Sequence, residues 1–223
     1  MLAVQPLSVD PGGQHLGLRE RKKLAARRRI AEAAHDLFVA RGFDHVTMAD
    51  VAAAAEMSVK TVFNYFGTKE DLAFEGEDWI IATWLNAIRH RPAGDTPLQA
   101  VSTLIAAAVD ADMVARLDAF ADLVAASTDL QSRLRLLWAR LESAVARLLV
   151  AEHDATDPAD EGRALAAARV EAARIVALPR LYFSDEVRAY LAESPDRDTA
   201  LADWLAGAIA TLSGVVGSPA DAR

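Results

Sequence analysis

A chain of 223 residues is long enough for one large domain or two small ones, and its 52% hydrophobic content supports a sizeable core rather than general disorder. The absence of cysteine excludes a disulfide scaffold, a thiolate zinc site, an iron–sulfur cluster and a cysteine nucleophile, and it fits a cytoplasmic setting. The net charge of −8 argues against a polyanion partner until the chain is divided: residues 1–70 carry 10 Lys and Arg against 8 Asp and Glu, while residues 71–223 carry 14 Arg against 24 Asp and Glu. All four lysines (Lys22, Lys23, Lys60, Lys69) fall in the first part, so a mildly basic head sits on an acidic body.

Alanine is abundant while β-branched and aromatic residues are sparse, which favours helix over sheet. No apolar run reaches the roughly 18–20 residues of a membrane span, and Met1–Gly17 lacks a basic start followed by an apolar stretch, so neither a span nor a secretory signal is expected. Residues 1–18, with Pro6, Pro11, Gly12, Gly13 and Gly17, read as a mobile arm. From Arg19 the pattern turns helical. Ile30, Ala33, Ala34, Leu37 and Phe38 recur at one helical face, and Gly42 ends the helix. Thr47 with Asp50 caps a short helix reaching Ala55, and Ser58 caps a second over 59–65, closed by Gly67. Thr68, with Glu70 and Asp71 in the first turn, opens a third.

That third helix is expected to run from Lys69 to His90. Leu72, Phe74, Trp79, Ile80, Ile81, Trp84, Leu85 and Ile88 lie on more than one side of it, the pattern of a helix buried between layers. Pro92, Gly94 and Pro97 then break the chain, and helices are expected over 98–111 and 113–126. Leu130, Leu134, Leu137, Trp138, Leu141, Val145 and Leu148 form the cleanest amphipathic stripe. After a polar break at His153–Pro158, an alanine-rich helix carries Leu165, Ala168, Ala172, Ile175 and Val176 and is expected to kink or end at Pro179. Following a turn at Glu193–Asp198, a last helix carries Leu201, Trp204, Leu205, Ala208, Ile209 and Leu212. The reading is an all-α chain of about nine helices: a mobile arm (1–18), a three-helix head with a helix-turn-helix (19–70) and a larger helical-bundle body (71–223).

Residues 47–66, T-M-A-D-V-A-A-A-A-E-M-S-V-K-T-V-F-N-Y-F, place two short helices around a tight turn. Small Ala52–Ala55 permit a close crossing, with Val51, Ala52, Val59, Val62 and Phe66 expected inward. Ser58, Lys60, Thr61, Asn64 and Tyr65 are expected outward, the mixture a recognition helix needs: hydroxyls and a lysine for phosphates, an amide for base edges. By itself the pair also fits a protein-interaction or structural unit. The run Arg19, Arg21, Lys22, Lys23, Arg27, Arg28, Arg29 puts cations near a helix start, where the dipole disfavours them, unless a polyanion lies opposite.

The segment S-V-K-T-V-F-N-Y-F-G-T-K-E-D-L, with R-R-R-I-A-E-A-A-H-D-L-F-V-A-R-G-F-D-H-V-T-M-A-D-V-A upstream, resembles the DNA-binding domain of the TetR family of transcriptional regulators over residues 25–73. The body resembles that family only in length and helicity. The resemblance implies DNA contacts at Thr47, Val59, Lys60, Thr61, Asn64, Tyr65 and Lys69, and Ser58 from the outward helix face and Arg27 and Arg28 from the basic run complete the candidate DNA-binding set. Val59, Lys60 and Asn64 match base-reading positions, Thr47 and Thr61 contact phosphate or nearby bases, Tyr65 is mixed, and Lys69 matches a phosphate-binding lysine. Phe63 stands where the family commonly has a tyrosine whose hydroxyl binds phosphate, and it keeps the packing without that bond.

In the body, Trp79, Trp84, Asn86, Arg116, Phe120, Trp138, Tyr182 and Phe183 are candidates to line an apolar effector cavity, with core packing as the alternative for each aromatic ring. The five histidines show no metal-ligand spacing, and Asp110, Asp112, Asp118 and Asp122 read as an acidic helix face, so no metal and no cofactor is expected. The leading expectation is a ligand-responsive regulator, a repressor released from a palindromic operator by a small apolar or amphipathic molecule. It dimerises through the helices at 160–178 and 198–214, with Ala168, Ala172 and Ala208 allowing close approach. The alternatives are a DNA-binding regulator that answers to a protein partner and an all-helical enzyme. For an enzyme the sequence offers no phosphate loop, nucleophile elbow or metal motif.

Overall fold

A computed structural model of the chain describes residues 17–108, 110–153 and 158–214, so the arm expected over 1–18 lies almost wholly outside the described residues. Within them the chain is helical throughout. The order is α1 (Leu18–Arg41), a 3-10 turn (Phe43–His45), α2 (Met48–Ala54), α3 (Val59–Tyr65), α4 (Lys69–Ala73), α5 (Glu77–Arg89), α6 (Pro97–Ala108), α7 (Ala111–Ala125), α8 (Thr128–Ala151), α9 (Pro158–Tyr182), α10 (Asp185–Glu193) and α11 (Arg197–Leu212). Two more α-helices are present than the sequence pattern suggests. One comes from a break at Gly76, whose φ of 95° lies in the left-handed region that glycine tolerates, so that α4 and α5 replace a single helix. The other is α10, capped by Ser184, which accepts from the Val187 amide, with Asp185 and Glu186 in its first turn.

The chain folds into two compact units that do not follow one another in sequence. The first comprises the chain up to Ile80 together with Asp112–Leu136, and the second comprises Ile81–Ala111 and the chain from Leu137 onward.

In the first unit, the stripe read from α1 delivers Ile30, Ala34 and Phe38 to the core, with Phe43 against Phe38 at 5.1 Å between ring centres. Val51, Ala52 and Ala55 from α2 and Val62 and Phe66 from α3 close the head core. Each large apolar side chain so buried contributes on the order of 1.5–3 kcal/mol. Thr47 and Asp50 form a full capping box, and Thr68 with Asp71 forms another. Phe74 packs edge-on against Phe120 of α7 at 5.4 Å, and Ser127 donates to Asp44 Oδ1 at 2.8 Å.

In the second unit, Leu137, Trp138, Leu141, Val145 and Ala146 of α8 are buried, as are Ala168, Ala172, Ile175, Val176 and Leu178 of α9. Arg91 forks onto Glu152 at 2.7 and 3.0 Å, which raises the guanidinium pKa and lowers that of the carboxylate through their shared hydrogen bonds. Arg174 donates to the Leu212 carbonyl at the end of α11. Three expectations are corrected here. Of the α5 side chains only Ile88 is fully buried and Trp79 is 36% exposed, because the break at Gly76 leaves α5 a short helix with one inward face. Pro179 does not end its helix, which runs on to Tyr182. Of the small residues named for dimerisation, Ala168 and Ala172 are covered within the folded chain, while Ala208 of α11 is half-buried.

Candidate nucleic-acid interface

The seven residues of α3 are too few to hold a helix alone, so its ends are fixed from outside. At the start the Ser58 hydroxyl accepts from the Thr61 amide at 3.0 Å and pairs with the Thr61 hydroxyl at 2.7 Å. In the middle, Val62 and Phe66 are buried against the head core. The remaining positions face out. Lys60 and Asn64 are exposed, and neither makes a side-chain hydrogen bond or ion pair among the described residues; Thr61 and Tyr65 are half-buried. Val59, expected inward, is 41% exposed, and Phe63 is 50% exposed, which leaves an apolar ridge beside the polar positions.

The other candidate DNA residues are engaged within the head. Thr47 spends its hydroxyl on the Asp50 carboxylate at 2.6 Å, and those bonds lower the Asp50 pKa. Lys69 donates to the Phe43 carbonyl at 2.8 Å and rests 4.0 Å from the Phe43 ring centre. Arg28 pairs with Glu32 at 3.3 Å on the same helix, and Arg29 pairs with Glu56. Arg27 forks onto Glu75 at 2.8 and 2.5 Å and donates to the Tyr65 carbonyl at 2.9 Å. In contrast, Arg19, Arg21, Lys22 and Lys23 on the first turns of α1 are exposed with no ion pair among the described residues. Sequence spacing gave no sign of Glu75 as a partner for Arg27, because the two lie 48 positions apart.

The eight candidate effector residues are divided between the two units. Trp79, Arg116 and Phe120 belong to the first unit, where Phe120 is buried and Arg116 pairs with Asp112 on its own helix. Trp84, Asn86, Trp138, Tyr182 and Phe183 belong to the second. There Trp138 meets Phe183 at 5.9 Å, Phe183 meets Tyr182 at 5.6 Å, and Tyr182 meets Trp204 at 6.2 Å. Trp204 was not among the expected site residues. A cleft of about 400 Å³ in the second unit is lined by Leu149, His153, Asp160, Arg163, Ala164, Ala167, Ala168 and Glu171, and none of the eight candidates lines it. Among the described residues no group of three or more His, Asp or Glu is placed to hold a metal ion.

Two short capped helices around a tight turn, the second with a polar outward face, form a helix-turn-helix. The sequence profile described as bacterial regulatory proteins, tetR family, matches residues 30–75, the whole of that unit. The chain is similar to the HTH-type transcriptional regulator TcmR of Streptomyces glaucescens, 40% identical over 86 residues, which is 39% of this chain and 38% of that protein. It is also similar to the HTH-type transcriptional regulator LuxR of Vibrio harveyi, 38% identical over 63 residues, 28% of this chain and 31% of that one. These matches span less than two-fifths of either relative's length. The fold extends the likeness: the structure of GusR from Salmonella enterica superposes with a TM-score of 0.53 at 19% identity, covering 86% of this chain and 95% of that one. The match to the tetR-family profile covers the head, residues 30–75, and does not reach the rest of the chain.

Proposed function

We propose that the chain is a homodimeric repressor that holds a palindromic operator through α3 of each copy and releases it when a small apolar or amphipathic molecule binds the body. The observation that carries the DNA half is the pair Lys60 and Asn64, exposed and unpartnered on a helix whose inward residues are buried, within the matched segment. In this reading Asn64 and Lys60 address base edges, and Val59 offers apolar contact to thymine methyls. Thr47, Ser58, Thr61, Tyr65, Arg28 and Lys69 lie against the backbone. Lys69 keeps its place because an ammonium has three donors and the Phe43 carbonyl takes one.

For the second copy, α9 supports an interface displaced from Ala168 and Ala172: Ala166, Val170, Ala173, Ala177 and Leu181 share one face, and Val170 is 62% exposed. Paired heads then need recognition helices roughly 34–36 Å or a near multiple apart. For the effector, the support is the ring cluster Trp138, Tyr182 and Phe183. An effector acts only if it prefers the conformation whose heads are wrongly spaced.

The test begins by selecting a preferred duplex from a random pool and titrating salt. Lys69→Ala is expected to weaken preferred and random duplexes alike and to flatten the salt slope by about one unit. Failure to retain any duplex at low salt rejects the reading. A monomer at micromolar concentration by sedimentation, unchanged by Val170→Glu, rejects the dimer. A panel of apolar molecules that never shifts the melting temperature or displaces duplex rejects the effector.

A further inference from the structure

Arg27 lies in the basic run of α1, yet each of its three guanidinium nitrogens donates to a partner inside the head, with the side chain 39% exposed. Nε and Nη2 grip the two oxygens of Glu75, Nη1 donates to the Tyr65 carbonyl at 2.9 Å, and the group sits 4.3 Å from the Phe66 ring centre. Tyr65 is the last residue of α3, and its carbonyl is one of those a helix leaves open at its C-terminus. A cation there also meets the negative end of the helix dipole. Glu75 lies in the joint between α4 and α5, next to Gly76 with its left-handed φ. On the far side of Gly76, Glu77 begins α5, and its carboxylate accepts from Arg133 of α8 at 2.7 Å; the two side chains are only 12% and 18% exposed. Arg133 also faces Asp71 at 3.8 Å and the Phe74 ring at 5.2 Å. Two neighbouring carboxylates, separated by one glycine, are thus held by arginines of two different helices.

We propose that Arg27 is a positioning residue rather than a phosphate contact: it fixes the C-terminal end of the recognition helix to the α4–α5 joint, so that operator affinity reports the state of that joint. The proposal rests on the DNA-binding reading of α3. Ser58 secures the start of α3 and Arg27 its end. A rotation at Gly76 that draws Glu75 away takes the guanidinium with it and leaves the Tyr65 carbonyl open. The Arg27 pKa is raised, chiefly by its hydrogen bonds to Glu75, as a committed ion pair requires. Lysine cannot replace it, because a single ammonium lacks the planar fork that serves the carboxylate and the carbonyl together.

The experiment compares full-length Arg27→Gln, Arg27→Lys and Glu75→Gln with the parent on the preferred duplex over a range of salt, with Lys69→Ala as the reference for a lost phosphate contact. A positioning role predicts that both Arg27→Gln and Glu75→Gln lower affinity by about tenfold, and that the double variant is no worse than the weaker single. It also predicts a salt slope that stays at the parent value in these variants while Lys69→Ala reduces it by about one unit. A phosphate contact predicts a slope reduced by about one unit in Arg27→Gln, with Glu75→Gln neutral or tighter because an anion has been removed. Full affinity in Arg27→Lys likewise overturns the proposal. A second readout is independent of DNA: amide exchange at Val62–Phe66 is expected to rise about tenfold in Glu75→Gln while α11 is unchanged. Unchanged exchange rejects the positioning role, whereas raised exchange in a protein that binds no duplex rejects the DNA reading alone.

Discussion

The outer face of α3 and the ring cluster of the second unit follow opposite rules. On α3, Lys60 and Asn64 stand in solvent without a partner among the described residues, above Val62 and Phe66, which carry the packing. In the cluster, Trp138, Phe183, Tyr182 and Trp204 meet one another edge-on or tilted, and Trp138 and Tyr182 are buried. The first arrangement contributes little to stability and leaves donors available to a partner. The second places large apolar area against itself and stabilises the fold whether or not a ligand ever enters. A residue type therefore says less than the state of its partners: an unpartnered polar group on a rigid helix marks a surface for recognition, while an aromatic ring becomes a site only if space remains beside it.

The largest effect that can break this contrast is expected at Trp138. If the ring is core, Trp138→Ala leaves a cavity and destabilises the protein by about 3–5 kcal/mol in urea unfolding. If the ring is a pocket wall, the loss is below about 1 kcal/mol, since the space beside it already exists, and effector release of the operator fails instead. The matching substitution on α3 is Asn64→Ala. It is expected to cost about 1–3 kcal/mol on the preferred duplex and almost nothing on random duplex, with the unfolding midpoint unmoved. A lower midpoint shows that Asn64 supports the fold and that the contrast is drawn in the wrong place.

A pH scan sharpens the contrast from within the head. His35 on α1 is half-buried, and burial holds its pKa below the ordinary imidazole range. The unfolded chain thus binds a proton more readily than the folded one. The stability this contributes is full above about pH 6.5 and is lost as pH falls toward the folded value. Melting temperature is expected to decline on acidification through this window, and His35→Gln to flatten that decline. The polar face of α3 carries no histidine and no carboxylate.

What was legible in the sequence was local. Capping at Thr47, Ser58 and Thr68 needs only three-residue spacing, and the stripes of α1 and α8 need only helical periodicity, so each is written in a short window. The outward set on α3 followed from the same periodicity, apart from Val59, where an apolar residue stands exposed at a position whose type suggested the core. The joint at Gly76 was hidden because apolar residues continue on both sides of it, and glycine inside such a run looks like a tolerated exception. The grip of Arg27 on Glu75 and of Arg133 on Glu77 was hidden for a different reason: their separations of 48 and 56 residues are set by tertiary packing alone. The grouping of α7 and the first part of α8 with the head was hidden for the same cause.

The smallest effect concerns the turn that leads into α3. Glu56 has φ of 52°, a left-handed position reached by few residues other than glycine and asparagine. Its neighbours explain why it is there: the Met57 amide reaches the Ala52 carbonyl at 2.8 Å and the Glu56 amide reaches Ala53 at 3.1 Å, which is the Schellman pattern that ends α2. That pattern asks for glycine, and glutamate bears a backbone cost of about 1 kcal/mol. Its carboxylate pairs with Arg29 in return, but the pair is exposed and contributes between roughly 0 and 1 kcal/mol. Glu56→Gly therefore removes more strain than attraction and is expected to stabilise the head by less than about 1 kcal/mol, read as a higher urea midpoint. The same change removes an anion beside α3 and frees the Arg29 guanidinium, so operator affinity at low salt is expected to rise along with stability. A lower midpoint shows that the Arg29 pair outweighs the backbone strain. Tighter folding without tighter DNA binding shows that Arg29 points away from the duplex, which confines the interface to α3 itself.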